Sequence, residues 1–188
     1  GAYHDSRGTF GMKLIIQIPC FNEEATLPLT LSDLPRQLSG FDSVEWLVID
    51  DGSEDRTSEI ARANGVDHVI RLPQNGGLAR AFSKGLEAAL ALGADVIVNT
   101  DADNQYQGSD LEKLVSPVVA GEAQITVGAR PISSIEEFST IKKWLQRLGS
   151  LVVRSLSLTN VDDAPSGFRA FSREAAMKLN VFSRYTYT

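Results

Sequence analysis

Asp101 and Asp103 flank Ala102, and Gln105 follows two positions later. If the chain stays extended there, residues at i, i+2 and i+4 face one side. Two carboxylates and an amide oxygen would then stand together. Like charges held close are unstable unless something positive lies between them. A hard divalent cation, Mg2+ or Mn2+, suits this oxygen set, because such ions combine one or two carboxylates with water and substrate phosphates. The same residues also suit a solvated acidic loop that caps the next helix, and D-x-D spacing alone does not choose between the two.

Three further polar clusters accompany this one. In Asp50-Asp51-Gly52-Ser53, Gly52 permits a tight turn, and Ser53 or Asp55 can cap the following helix. A strand-to-helix turn accounts for Asp51, Gly52 and Ser53. Asp50, nearest the strand end, is placed to accept hydrogen bonds from a base N–H or ribose hydroxyls. Asn75-Gly76-Gly77 leads into a helix, where bare backbone lets an anion approach free N–H groups, although loop punctuation explains the glycines as well. Arg80, one turn in, suits either a phosphate or the surface. Arg130 leaves an apolar run facing these acids. It can grip a diphosphate through two hydrogen bonds or pair with one of the aspartates.

The elements that carry these residues alternate. Leu14–Ile18, Val44–Ile49, Asp67–Leu72, Asp95–Thr100 and Gln124–Val127 read as strands. Between them, Glu23–Leu38 (interrupted by Pro28 and Pro35), a segment capped by Asp55 or Thr57 and running to Ala63, Leu78–Leu92 and Ser109–Val119 read as helices. The strands are continuously apolar, so both faces are buried. The fold class is therefore α/β, with a mostly parallel central sheet flanked by helices. In such a sheet the carboxyl ends of the strands share one edge, where ligands bind. Asn22-Glu23, Asp50–Ser53, Asp101–Asp103 and Arg130 each follow a strand, so they converge on that rim.

Composition bounds the function. The 188 residues carry 18 basic and 24 acidic groups, a formal charge of −6, which argues against nucleic-acid binding by a basic surface. The imbalance is uneven: residues 1–130 are acidic and residues 131–188 mildly basic. Cys20 is the single cysteine and cannot form an intrachain disulfide. No stretch of about 18 or more apolar residues is present to span a bilayer. Gly1–Gly11 is polar and Gly-rich ahead of Met12-Lys13, and is expected to be a non-native leader preceding one domain over residues 12–188.

Five segments in order resemble family 2 glycosyltransferases of the GT-A (nucleotide-diphospho-sugar transferase) fold: IPCFNEEATL (Ile18–Leu27), VIDDGSEDRT (Val48–Thr57), DADNQY (Asp101–Tyr106), VGAR (Val127–Arg130) and SGFRAFSREA (Ser166–Ala175). The last is similar to the branch of dolichol-phosphate mannose synthase and bacterial polyprenyl-phosphate glycosyltransferases. The resemblance implies an inverting, metal-dependent transfer of a sugar from GDP-mannose or a UDP-hexose to an acceptor, most naturally a polyprenyl or dolichyl phosphate. It implies that Pro19, Phe21, Glu23 and Asp50 line the nucleoside pocket. Asp101, Asp103 and Gln105 would hold the metal, with Ala102 between the two carboxylates. Arg130 would contact the diphosphate, and Ser166, Gly167, Phe168 and Arg169 would form the acceptor side. Three departures stand out. Phe21 replaces a frequent tyrosine. Tyr106-Gln107-Gly108 replaces the usual His-Pro-Pro. Family members usually continue beyond the point where Thr188 lies, so the catalytic domain is expected to be truncated.

A phosphate acceptor needs no general base, whereas a hydroxyl acceptor would need one, with Asp162 or Asp163 as candidates. A non-catalytic or incomplete nucleotide-sugar-binding module is the alternative. A sugar-phosphate nucleotidyltransferase should carry a Gly-rich basic loop after its first strand, and here that loop is acidic. A D-x-D phosphatase would place its motif after the first strand, not the fourth. Within residues 135–158, Phe138, Ile141, Leu145, Leu148, Val152 and Leu156 form one helical face beside Lys142, Lys143, Arg147 and Arg154. That pattern fits an interfacial membrane helix as well as a core-packed helix with a basic edge. The expected location is the cytoplasmic face of a membrane.

Overall fold

The computed structural model describes residues 11–103, 108–128, 158–161 and 167–186. The chain opens with β1 (Lys13–Cys20), α1 (Leu27–Asp33), β2 (Ser43–Asp50), α2 (Thr57–Ala63), β3 (His68–Arg71), α3 (Leu78–Ala91) and β4 (Val96–Asn99). It continues with α4 (Gly108–Val119), β5 (Ile125–Gly128), β6 (Leu158–Val161), β7 (Arg169–Ser172) and a final helix, α5 (Arg173–Thr186). Among the described residues, seven strands form one sheet in the order β3-β2-β1-β4-β7-β5-β6. β1 pairs in parallel with β2 and β4, β2 with β3, and β5 with β6. The sheet is therefore mixed but mostly parallel, as the continuous apolar strands imply.

The exception is β7, which runs antiparallel between β4 and β5. Sequence reading assigned no strand there. Four residues bounded by a helix-like Ser-Arg-Glu-Ala-Ala run give too short a pattern to separate strand from helix. The pairing itself orders the segment, because β7 hydrogen-bonds on both sides. Residue Arg169 lies opposite Asn99 on one side and opposite Val127 on the other.

α1 is shorter than the expected Glu23–Leu38 for a local reason. Pro28 sits in its first turn, where the missing N–H costs nothing. Pro35 then forces the preceding residue out of the helical region, and Leu34 is extended at φ −78° and ψ 134°.

Alternation along each strand splits the core in two. Leu14, Ile16 and Ile18 of β1 and Trp46 and Val48 of β2 pack toward α1, α2 and α4. Ile15, Leu47, Ile49 and Ile97 pack toward α3 and α5 with Phe82, Leu86 and Leu179. On this second face Phe82 of α3 and Phe171 of β7 meet edge to face, with ring centroids 5.6 Å apart and planes at 61°. Both rings are fully buried, so they tie the antiparallel strand to the helix layer. Phe171→Ala is expected to lower the unfolding free energy by about 3–5 kcal/mol, as read from urea denaturation.

Candidate active site

After β3 the chain crosses β1 to reach β4, so β1 lies at the point where strand order reverses. A cleft of about 360 Å³ opens at the carboxyl ends of these strands, lined among others by Pro19, Phe21, Glu23, Asp51, Asp101 and Asp103. This is where an open α/β sheet leaves room for a ligand.

The loops after β1 and β2 are stitched together. Asn22, at φ 54°, donates its N–H to Ser53 Oγ at 2.9 Å and accepts the N–H of Glu54 on Oδ1 at 2.9 Å. The N–H of Glu23 donates to Thr57 Oγ1 at 2.9 Å, and that of Glu24 to Asp55 Oδ2 at 3.2 Å. Asp55 also accepts from the hydroxyl and N–H of Thr57. Burial by itself raises the Asp55 pKa. Those hydrogen bonds outweigh it and hold the group below its ordinary 3.8. Phe21 stands on the rim, 44% exposed. Cys20 is buried behind it, and burial together with the nearby Glu23, Asp50 and Asp55 carboxylates raises its pKa well above 9.0. It is therefore a thiol, not a nucleophile, at neutral pH.

The two adjacent aspartates part company. Asp50 is fully buried, and its carboxylate accepts the N–H of Ser53 at 2.8 Å and the hydroxyl of Ser58 on α2. Asp51, not Asp50, borders the cleft. Strand alternation is the cause: Val48 and Asp50 face α1 and α2, whereas Ile49 and Asp51 face α3, the side on which the cleft lies. Asp51 in turn accepts the N–H groups of Gly76 at 3.0 Å and Gly77 at 2.8 Å. The glycine N–H groups that could have met a ligand anion are thus occupied by the protein's own carboxylate. The Gln74–Asn75 backbone packs directly on Gly52, where a Cβ would come within 2.5 Å of Gln74 C. Arg80 folds against Gly76 and donates to Gln74 O at 3.5 Å, so it braces this loop.

Past β4 the chain turns at Ala102 and Asp103 instead of staying extended. Both residues nevertheless line the same cleft. Ala102 is buried between them, and its carbonyl accepts the Thr30 hydroxyl at 2.8 Å, which pins the loop to α1. Among the described residues no set of three His, Cys, Asp or Glu side chains gathers as a metal cage. Two carboxylates on an open cleft still fit Mg2+ or Mn2+, which bind through one or two carboxylates and keep their remaining positions for water and phosphate oxygens.

The segment Gly167–Arg169, expected from the resemblance to form the acceptor side, reaches the same edge at the start of β7. Phe168 is buried, and its carbonyl accepts the Gly128 N–H at 2.7 Å. Arg169 is 7% exposed. Burial lowers its pKa to about 10 while the Asp101 charge works in the opposite direction, so it stays protonated at neutral pH. Gly167 lies so close to Asp101 that a Cβ would collide with its carboxylate. Gln105, Arg130, Asp162, Asp163, Ser166 and, except for Leu158 at the start of β6, the amphipathic stretch 135–158 lie outside the described residues.

Sequence reasoning passed over Gln17 and Asn99, both almost wholly buried within apolar strands. The signal was present: each is an uncharged polar residue interrupting a buried run, and such a residue needs a partner.

The depressed Asp55 pKa sets a pH dependence. A carboxyl whose folded pKa lies below its unfolded value adds stability above the unfolded value, and that stability disappears as pH falls through the folded one. Asp55→Asn is therefore expected to lower the melting temperature at pH 7. The gap to the unmodified chain should close as pH drops below about 3.8, the ordinary value, in melts followed by circular dichroism.

A family model for glycosyl transferase family 2 matches residues 15–179. The chain is 34% identical over 173 residues to an uncharacterized protein of Methanocaldococcus jannaschii, covering 89% of this chain and 68% of that protein. It is 30% identical over 176 residues to an undecaprenyl-phosphate mannosyltransferase of Micrococcus luteus, covering 90% and 70%. It is 32% identical over 182 residues to a UDP-N-acetylglucosamine–dolichyl-phosphate N-acetylglucosaminyltransferase of Methanococcus voltae, covering 87% and 70%. Among solved structures it resembles glucosyl-3-phosphoglycerate synthase from Mycobacterium tuberculosis in complex with Mn2+, UDP-glucose and phosphoglyceric acid. The TM-score is 0.62 and the identity 25%, covering 87% of this chain and 57% of that one. The chain thus spans little more than half the length of that solved enzyme. The family match runs from β1 into α5, and the chain belongs to glycosyl transferase family 2.

Proposed function

We infer that this chain carries the donor site of an inverting glycosyltransferase that moves a hexosyl group from a nucleoside-diphosphate sugar to a polyprenyl or dolichyl phosphate. The observation that carries this is the convergence of Asp101 and Asp103 with Pro19, Phe21 and Glu23 on one cleft at the strand-order switch. The named activities of the Micrococcus luteus and Methanococcus voltae relatives favour a lipid phosphate as acceptor.

In this assignment the nucleoside lies along Pro19, Phe21 and Glu23. Asp51 holds the Gly76–Gly77 turn that walls the cleft. Asp101 and Asp103, with Gln105, would hold Mg2+ or Mn2+, which would supply positive charge to the departing diphosphate. Arg130 contacts the same diphosphate. An oxygen of the acceptor phosphate forms the new bond to the anomeric carbon. The bond from that carbon to the donor diphosphate breaks, and its electron pair leaves with the nucleotide. The attacking oxygen is already anionic, so no side chain has to take a proton from it. Arg169, buried and protonated beside Asp101, offsets negative charge on the acceptor side. No helix of the described residues is long and apolar enough to cross a membrane. Contact with the cytoplasmic face of a membrane through residues 135–158 belongs to this proposal.

Calorimetry with UDP and GDP, each with and without Mn2+, tests the donor site. Release of nucleoside diphosphate from UDP- or GDP-sugars then tests transfer, with a polyprenyl phosphate or phosphoglyceric acid as acceptor. Metal-dependent nucleotide binding and lipid-phosphate-dependent release are expected. Asp101→Asn and Asp103→Asn are each expected to lower transfer on the order of a hundredfold or more. Unchanged transfer in both variants, or nucleotide binding indifferent to Mn2+, would remove the assignment. Release supported only by phosphoglyceric acid would replace the lipid acceptor with a soluble one.

A further inference from the structure

A line of hydrogen bonds runs through the sheet beneath the cleft, outside the residues assigned above to donor or metal. Gln17, at the centre of β1, donates from Nε2 to Phe82 O on α3 at 3.4 Å and to Asn99 Oδ1 on β4 at 3.0 Å. Asn99 donates from Nδ2 to Gly167 O at 3.0 Å. Gln17 is 0% and Asn99 3% exposed, so no solvent competes for these bonds.

The direction of the line follows from chemistry. A backbone carbonyl only accepts, so Phe82 O requires the NH2 end of Gln17. The second hydrogen of that NH2 then requires an oxygen from Asn99. With its oxygen committed, Asn99 turns its own NH2 toward Gly167 O. α3 thus dictates the orientation of both amides, and Gln17 is wedged in place because a Cβ at Gly85 of α3 would come within 2.6 Å of Gln17 Oε1.

What the line delivers is the position of Gly167. Its carbonyl is held by Asn99, and the next carbonyl, of Phe168, is held by the Gly128 N–H at 2.7 Å. Pinned at two consecutive carbonyls, Gly167 presents its bare α-carbon to the Asp101 carboxylate, in a space that any Cβ would fill. The seat of Asp101 is therefore built by the segment leading into β7, far from it in sequence.

We propose that Gln17 and Asn99 are positioning residues: an amide relay from α3 through β1 and β4 that sets Gly167 as the seat of Asp101 and so sets the affinity of the cleft for a divalent cation. The proposal deepens the donor-site assignment and rests on it. It also couples the acceptor-side segment to the donor side, because the backbone that begins β7 is the surface on which Asp101 rests.

The test is Mn2+ affinity of the full chain, by calorimetry and by electron paramagnetic resonance of free Mn2+, with folding checked by circular dichroism. Asn99→Leu removes the donor to Gly167 at similar volume. Gly167→Ala disturbs the seat from the other side and removes no hydrogen bond. Each is expected to weaken Mn2+ binding about ten- to hundredfold, the usual cost of losing a group that orients a metal ligand. The double variant should be little worse than either single one, because both act through the same seat. If Asn99→Leu does not fold, Gln17→Met, which breaks the relay one step earlier at Asn99 Oδ1, takes its place with the same expected loss. Folded variants that keep Mn2+ affinity within twofold would overturn the relay while leaving the donor site standing. So would an Asn99→Leu protein that is merely less stable. Absence of Mn2+ binding by the unmodified chain would instead overturn the donor-site assignment, and the relay with it.

Discussion

Carboxylates gathered at one sheet edge repel one another, and this chain brings Glu23, Asp50, Asp51, Asp55, Asp101 and Asp103 to the ends of β1, β2 and β4. The fold deals with most of that charge internally. Asp50 takes a hydrogen bond from Ser53 and one from Ser58, Asp51 takes two glycine N–H groups, and Asp55 binds Thr57 and Glu24. Charge-assisted bonds of this kind are stronger than neutral ones and hold loops as well as neutralising them. Glu23, Asp51, Asp101 and Asp103 border the open cleft, with Arg169 charged beside Asp101. Most of the acidic sequence around the rim thus assembles the walls of the cleft.

The same economy explains why adjacent residues of one motif serve different purposes. Asp50 and Asp51 differ by one step along a strand, and one step reverses the face. One carboxylate joins the α1–α2 layer and closes a turn. The other reaches across to the start of α3 and shapes the cleft. A conservative exchange at these two positions therefore disturbs different parts of the molecule, although both belong to the same four-residue turn.

β7 has an unexpected part in this arrangement. Because it runs antiparallel between β4 and β5, its first residues arrive at the edge where the parallel strands end. That brings Gly167, Phe168 and Arg169 beside Asp101, some 65 residues away in the chain, and packs Phe171 onto α3. The end of β4 and the segment leading into β7 are thus tied together through Asn99 and Asp101.

Much of this was legible from residue order alone. Continuous apolar strands alternating with helices specify a parallel sheet buried on both faces, and strand-end polar clusters specify a shared rim, because both follow from local periodicity and from the direction of parallel strands. The proline limits of α1 were visible in outline for the same local reason. Only the tertiary structure decided which of Asp50 and Asp51 meets the cleft, that the Gly76–Gly77 N–H groups are filled by Asp51, and that Gly167 seats Asp101. These depend on which sheet face carries α3 and on where a four-residue strand inserts. Long-range packing settles both, and no local pattern of residues encodes it.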